Sequence, residues 1–188
     1  MAKPVLLASG SPQRRALLSA LGVEFESRAP GIDEETEGEP RELVERNAIR
    51  KAEAIAADAH DAIVIGGDTE VVIDGDVLGQ PADEEEARAH LERLSGRDHE
   101  VLGGLAVLEP GSEPRTGVDV STVAFRELEP ELIRAYLASG EWRGRAGAYA
   151  IQGLGSALVD GVRGDVSNVI GLPIALLLRL APQLVRRN

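Results

Sequence analysis

The sequence predicts a single α/β domain over residues 1–188, built on a mixed β-sheet flanked by helices. Short apolar runs typical of buried strands alternate along the chain with longer segments whose apolar residues recur at helical spacing. An Asp-Gly pair between two apolar runs indicates a hairpin, so some neighbouring strands must be antiparallel. No repeat, low-complexity tract or linker divides the 188 residues, of which 43% are hydrophobic, enough to fill one core.

The first predicted elements are a strand at residues 4–8 and a helix that follows it closely. Ser11 and Pro12 predict the start of this helix, because they place a side-chain oxygen at the N-cap and a proline at the first helical position. The apolar face of the helix extends to Gly22, which favours its end. An acidic loop follows at residues 33–39.

The middle of the chain predicts a helix, a strand and a hairpin. Residues 40–57 carry apolar side chains at helical spacing, and the apolar run 62–65 predicts a buried strand. We expect this strand to end in the glycine-containing segment 66–69. Asp74 and Gly75 then predict the turn of a hairpin, with apolar residues on both sides.

The second half predicts further strands and helices in alternation. Residues 83–94 begin with an acidic capping pattern and read as a helix. Two strands are predicted at 100–108 and 118–125, and a helix at 129–139. The rest is rich in glycine and predicts short strands, before Pro173 opens a last apolar helix.

The composition excludes several classes of protein. The formal net charge of -12 argues against nucleic acid as a partner, because polyanions bind to basic surfaces. The chain has no cysteine, and its three histidines lack the spacing of a zinc site. No apolar run has the length of a membrane span or a signal peptide. We therefore expect a cytoplasmic protein without nucleic-acid or membrane partners, for which a small anionic ligand is still allowed.

The junction between the first strand and the first helix is a candidate phosphate site. A helix N-terminus offers unpaired N–H groups and the positive end of a dipole. Arg14 and Arg15 lie in the first helical turn, where they oppose that dipole, so an anion bound there would explain their position. An ordinary capped helix with two solvated arginines explains them about equally well.

Carboxylates form the second candidate feature. Asp68 follows the predicted strand end, where aspartates often hold a metal or activate water, although an aspartate in a turn is the commoner case. Glu34 and Glu35 in the acidic loop offer oxygen ligands suited to Mg²⁺, or form a solvated charge run. Lys51 either neutralises phosphate or is exposed. These residues alone indicate no more than a phosphate site with carboxylates nearby.

Several short motifs occur in a characteristic order along nearly the whole chain. They are LASGSP at residues 7–12, GDT at 67–69, LGQP at 78–81, LSGR at 94–97, AGAYAIQG at 146–153 and GLP at 171–173. Together they resemble the Maf family of nucleoside triphosphate pyrophosphatases. The resemblance implies a Maf/Ham1-type fold, in which a curved mixed sheet forms a deep cleft, and usually a homodimer. It also implies hydrolysis between the α- and β-phosphates, yielding a monophosphate and pyrophosphate, with Mg²⁺ or Mn²⁺ as cofactor.

The resemblance also implies roles for individual residues. Asp68 would accept the proton of the attacking water, and Glu34 would hold the metal together with Asp68. The residues that would line the triphosphate site are Ser9, Ser11, Arg14 and Lys51.

Other positions bear on the choice of nucleotide. Thr69 and Gln152 resemble the branch of the family that takes dTTP and UTP. Gln13 departs from the Arg usual in that branch, which puts the base preference in doubt. Gln80 and Arg145 each stand where the family usually has Lys, so one phosphate-facing cation is lost and the other changes shape.

Two alternatives to a dTTP/UTP pyrophosphatase remain open at this point. One is an enzyme for another substrate class, either 7-methyl-GTP or deaminated purines such as ITP. The other is a weakly active nucleotide-binding regulator of cell division, because the family has been linked to septum formation. The missing cation at Gln80 keeps this second alternative open.

Overall fold

One mixed sheet organises residues 3–185, the residues that the computed structural model describes; the extreme ends of the predicted 1–188 domain lie outside the described residues. Its seven strands are β1 (Val5–Ala8), β2 (Glu26–Arg28), β3 (Ile63–Ile73), β4 (Asp76–Leu78), β5 (Asp98–Leu108), β6 (Arg115–Phe125) and β7 (Val159–Arg163). The order across the sheet is β2-β1-β3-β5-β6-β7, and β4 pairs with β3. β1 is parallel to both neighbours, whereas the other pairs are antiparallel. The predicted mixed sheet is therefore confirmed.

Six helices flank this sheet in the described part of the chain. They are α1 (Pro12–Ala20), α2 (Pro40–Ala56), α3 (Glu84–Leu94), α4 (Pro130–Ser139), α5 (Val166–Ile170) and α6 (Ile174–Leu180). Short 3-10 turns occur at Ala146–Ala148, Gly153–Ala157 and Pro182–Leu184. None of the helices within residues 3–185 is long and apolar enough to cross a membrane.

The predicted starts and ends of several elements are confirmed. The Ser11 side chain caps α1, and the Asp83 side chain accepts a hydrogen bond from the Glu86 N–H at 2.9 Å at the start of α3. Asp74 and Gly75 both have positive φ, 55° and 85°, as a tight hairpin turn requires.

The predicted end of the third strand is wrong. β3 continues through the glycine-containing segment and is paired with β5 from Val64 to Val72. Gly66 is in the strand because α2 packs directly on it: a Cβ there would lie 2.1 Å from the Ala48 carbonyl oxygen. Gly66 thus marks a close helix approach instead of a strand end.

One stretch of β3 lacks a strand partner on one side. β1 pairs with β3 as far as Gly66, and β4 pairs with it only from Val71 onward. Among the residues described, no strand covers this edge of β3 at residues 67–70. A gap therefore opens in the sheet between β1 and β4.

Two other predictions need correction. The three residues of β2 were not predicted as a strand, because they form a short polar edge with no apolar run. The glycine-rich part contains one strand, β7, and short helical turns in place of several strands. Gly147 and Gly153, with φ of 65° and 69°, turn the backbone away from a continuous ladder.

The two faces of the sheet are covered unequally. α2 packs on one face, through apolar side chains such as Ala48 and Ala52 against Leu6 and Val64. α1 and α6 pack on the opposite face against β1, β3 and β5. α3 and α4 lie farther along that second face, where they cover β5 and β6. The gap in the sheet therefore opens between α2 on one side and α1 on the other.

Candidate active site

A cleft of about 820 Å³ lies at this gap in the sheet. This volume falls in the range of ordinary small-molecule sites. All of the predicted site residues except Ser9 line the cleft: Ser11, Gln13, Arg14, Glu34, Lys51, Asp68, Thr69, Gln80, Arg145 and Gln152. Ser9 lines an adjoining recess, which also includes Arg14 and Lys51. The structure thus brings together residues that lie far apart in the sequence.

Arg14 forms the first corner of the cleft, where β1 leads into α1. Its Nε donates to the Gly171 carbonyl at 2.8 Å, and its Nη2 donates to the Thr69 hydroxyl at 3.0 Å. Its Nη1 approaches the Ser9 hydroxyl at 3.4 Å, and the Ser11 N–H donates to the same hydroxyl at 3.1 Å. These contacts fix the guanidinium group beside the helix N-terminus, so it does not extend freely into solvent.

Lys51 and Asp68 form a buried ion pair at the opposite corner. The Lys51 Nζ lies 2.6 Å from Asp68 Oδ1, and only 6% and 4% of the two side chains are exposed. Lys51 also pairs with Glu34. The Asn47 side-chain amide donates to the second Asp68 oxygen at 3.3 Å. The alternative prediction that Lys51 is exposed to solvent is therefore wrong, because its charge is held between the carboxylates of Asp68 and Glu34.

Two glycines allow α2 to deliver these side chains. A Cβ at Gly104 on β5 would lie 2.2 Å from the Val44 carbonyl oxygen, and Gly66 makes a similar approach on β3. The helix therefore rests directly on the strand backbones. Asn47 and Lys51 are four residues apart and lie on one helix face, which this packing places over Asp68.

Asn47 also fixes the acidic loop. Its Oδ1 accepts from the Glu35 N–H at 2.9 Å, and its Nδ2 donates to the Glu35 carbonyl at 2.9 Å. The Glu35 side chain pairs with Arg46 at 2.9 Å. Glu34 instead pairs with Lys51 in the cleft. Of the two glutamates considered as ligands, only Glu34 is directed to Asp68, and the buried Asn47 explains why.

Glu70 is a cleft residue that the sequence analysis missed. It lies two residues after Asp68 on β3 and so faces the same side of the sheet. Its Oε2 atom is buried and has no hydrogen-bond partner among residues 3–185. Burial raises the pKa of Glu70 to about 8, and the negative charges of Asp68 and Glu34 act in the same direction. In a continuous strand every second side chain faces the same side of the sheet, which would have placed Glu70 beside Asp68. The strand was instead predicted to end before Glu70.

The carboxylates fit a divalent cation only if the ligand completes the site. Within residues 3–185, no three His, Cys, Asp or Glu side chains are grouped to hold a metal ion. Mg²⁺, however, is commonly bound by one or two carboxylates together with phosphate oxygens and water. Asp68 and Glu34 supply such hard oxygen donors, and because the two carboxylates share the single Lys51 cation, a metal ion would compensate further negative charge there.

The outer wall of the cleft carries the remaining predicted residues. Gln80 and Gln152 are exposed at its mouth, while Gln13 is half-buried beside Ser11. The half-buried Arg145 has an Nε atom with no hydrogen-bond partner. The exposed amides of Gln80 and Gln152 therefore leave donors and acceptors available at the mouth of the cleft.

The rings of His99, Phe125 and Tyr149 pack together behind this wall. The Tyr149 hydroxyl is 2.8 Å from His99 Nε2, and Phe125 packs edge-on against both rings. His99 is only 2% exposed, and burial lowers its pKa to about 4. Burial also raises the pKa of Tyr149. Both side chains are therefore neutral at pH 7, and they support the cleft wall from below.

Comparison with known proteins agrees with the order of the motifs. Residues 4–184 match the family described as Maf-like protein. A dTTP/UTP pyrophosphatase of Pelotomaculum thermopropionicum is 47% identical over 178 residues, which are 93% of each chain. A dTTP/UTP pyrophosphatase of Dictyoglomus thermophilum is 45% identical over 181 residues, or 94% of each chain.

Solved structures also show a partial likeness. The Ham1 protein of Staphylococcus aureus is 18% identical, with a TM-score of 0.49 over 65% of this chain and 72% of that chain. The family match, by contrast, spans nearly all of the residues that the structure describes, and the prediction from the motifs is confirmed. The chain belongs to the Maf family.

Proposed function

We propose that this protein hydrolyses nucleoside triphosphates, with dTTP and UTP as substrates, to the monophosphate and pyrophosphate. The observation that carries the proposal is that Arg14, Lys51 and Asp68 line one cleft. Two cations and a carboxylate are the groups that the attack of water on a phosphate requires. The relatives that are 45–47% identical and named dTTP/UTP pyrophosphatases favour these substrates over 7-methyl-GTP, ITP or a purely regulatory role.

Asp68 accepts the proton of the attacking water in this proposal. Lys51 holds the carboxylate in place through Oδ1, while Asn47 holds Oδ2. Because the transition state is loose, positioning and charge compensation contribute more than covalent chemistry. The ion pair with Lys51 keeps the carboxylate oriented while water is aligned with the phosphorus.

Arg14, Ser9 and Ser11 bind the triphosphate at the start of α1. The Arg14 guanidinium compensates negative charge as pyrophosphate leaves, and the first N–H groups of the nine-residue helix face the same anion. Arg145 supplies a further cation from the opposite wall. When bound, a Mg²⁺ or Mn²⁺ ion held by Asp68 and Glu34 supplies additional compensation at the phosphate oxygens.

Thr69, Gln13 and Gln152 select the base. Thr69 is tied to Arg14, so its hydroxyl lies where the phosphate and nucleoside ends of the cleft meet. The exposed Gln152 amide offers one donor and one acceptor direction to a pyrimidine edge. The half-buried Gln13 offers the same groups from α1. The proposal also includes that the protein acts as a homodimer in the cytoplasm.

Pyrophosphate release from a panel of dTTP, UTP, CTP, ITP and 7-methyl-GTP tests the proposal. With Mg²⁺ or Mn²⁺ we expect dTTP and UTP to give the highest kcat/KM, and chelation with EDTA to abolish turnover. Release of inorganic phosphate and a nucleoside diphosphate in place of pyrophosphate would contradict the cleavage position. Nucleotide binding without any turnover would instead favour a regulator.

A further inference from the structure

The segment that carries Gln152 has little backbone support of its own. Residues 149–152 belong to no helix or strand. Gly147 and Ala148 before this segment and Gly153 after it have left-handed φ values of 65°, 61° and 69°. Because such a backbone cannot pair in a ladder, the position of Gln152 must depend on side chains that hold the segment from outside.

Glu141 provides the first of these contacts. Its Oε1 accepts from the Leu154 N–H at 3.0 Å, and its Oε2 accepts from the Gly155 N–H at 3.1 Å. These two N–H groups open the 3-10 turn that directly follows Gln152. A Cβ at Gly153 would lie 2.6 Å from Glu141 Oε1, so the glycine leaves room for the carboxylate.

Tyr136 provides the second contact, on the other side of Gln152. Its hydroxyl accepts from the Ala150 N–H at 3.0 Å. Tyr136 belongs to α4 and is fully buried. Glu141 follows the C-cap of the same helix, Gly140. The end of α4 therefore holds the chain at two points, two residues before Gln152 and two residues after it.

We propose that Glu141 is a positioning residue that holds Gln152 in the orientation for reading the base. This inference rests on the proposed function, in which Gln152 contacts the pyrimidine. A carboxylate that accepts two backbone hydrogen bonds makes stronger contacts than a neutral group. Without them, the segment must be ordered each time the substrate binds, and the cost appears in KM. Asp68 and Lys51 belong to β3 and α2, so kcat is retained.

Steady-state kinetics with UTP on a double-mutant cycle test the inference. We expect Glu141→Gln to raise KM about tenfold, the equivalent of one charged hydrogen bond, because the glutamine amide keeps one acceptor oxygen. The same change should have little further effect when Gln152→Ala is already present, because there is no longer a base-reading group to position. Glu141→Asp, which keeps the charge on a shorter side chain, should lie between wild type and Glu141→Gln.

Glu131→Gln is the matched control, because Glu131 lies on α4 but is exposed and pairs only with Arg134 in the described part of the chain. An unchanged KM in Glu141→Gln would overturn the inference. A fall in kcat would also overturn it. An equal rise in KM when Glu141→Gln is introduced into wild type and into Gln152→Ala would do the same. Each of these results requires an active wild type, so none is confused with failure of the proposed function, in which wild type itself releases no pyrophosphate.

Hydrogen–deuterium exchange gives a second measurement that does not depend on activity. In Glu141→Gln, the amides of Leu154 and Gly155 should exchange faster than in wild type, while the amides of β5 should be unaffected. Equal protection of Leu154 and Gly155 in the two proteins would show that Glu141 does not hold the segment.

Discussion

Individual charges in the cleft are matched unequally, and Gln80 adds no cation at its mouth. Asp68 and Glu34 share the Lys51 cation, and Glu35 is paired outside with Arg46. Gln80 is exposed at the mouth of the cleft, with its Oε1 3.9 Å from the place a Cβ on Gly144 would occupy. A cation at this position would attract a bound triphosphate through solvent, which screens part of the interaction.

We therefore predict that Gln80→Lys lowers KM for UTP. An exposed charge interaction contributes up to about 1 kcal/mol, so the expected change is about two- to fivefold, decreasing as salt is added. The measurement is KM at low and high salt, with Gln80→Met as the uncharged control. If the Lys and Met variants have the same KM, Arg145 already compensates this part of the anion.

The residue types of the site could be predicted from the sequence, but their partners could not. The motifs identified Arg14, Lys51 and Asp68, which the structure places in one cleft. Asn47 was missed because a single asparagine in a helix has no distinctive pattern. Glu70 was missed because β3 was predicted as two separate strands, the first ending in the segment 66–69 and the second belonging to the hairpin, so the alternation of Asp68 with Glu70 was lost. The first omission concerns a contact between elements, which local sequence does not encode, and the second concerns the length of one strand.

Packing of α2 on the sheet is the element-scale feature on which the site depends. The helix approaches β3 and β5 so closely that Gly66 and Gly104 have no room for a side chain. This approach brings Lys51 and Asn47 to Asp68. The boundaries of α2 were predicted well from apolar spacing, whereas Gly66 was interpreted as part of a strand end and the contact of Gly104 with the helix was not predicted.

We predict that Gly104→Ala destabilises the protein and reduces turnover together. The new Cβ would lie 2.2 Å from the Val44 carbonyl oxygen, and backbone on both sides must move to admit it. The expected loss in free energy of unfolding is about 1–3 kcal/mol or more, measured by urea denaturation.

Gly161→Ala is the control for this change, because no heavy atom lies within 4 Å of a Cβ at that strand position. It should leave both the free energy of unfolding and turnover close to wild type. If Gly104→Ala were as stable as Gly161→Ala, the close packing of α2 would not be what positions Lys51.

For the whole molecule, the buried His99 makes stability depend on pH. Its pKa is about 4 in the folded protein because of burial, against about 6.5 in an unfolded chain. Below pH 6.5 the unfolded state therefore binds a proton that the folded state does not. Stability falls as the pH decreases from 6.5 toward 4, and the loss from this group is complete below the folded pKa.

We predict that protonation of His99 in the unfolded state lowers the free energy of unfolding by about 2 kcal/mol when the pH is decreased from 7 to 5. Urea denaturation of wild type and His99→Gln at the two pH values measures this difference. Glutamine retains a hydrogen-bonding group near Tyr149 but does not titrate. The exposed His60→Gln is the control and should follow wild type. Identical pH dependence in wild type and His99→Gln would contradict a neutral, buried His99.

Family membership and the mixed sheet follow from the motifs and the apolar pattern, and both are confirmed. The gap in the sheet was not predictable, because it arises from the lengths over which β1 and β4 pair with β3. That gap is where the cleft opens and where Asp68, which lines the cleft, contacts α2. The position of the site is thus a property of the whole sheet.

The most direct test of the central claim is pyrophosphate release from UTP by Asp68→Asn. The variant keeps the shape of the side chain and its contacts with Asn47 and Lys51 in part, but it cannot accept a proton. We predict that kcat falls by about 10²- to 10⁴-fold while UTP still binds, with Asp61→Asn, an exposed position before β3, as the control. Turnover close to wild type in Asp68→Asn would contradict the assignment of Asp68 as the proton acceptor.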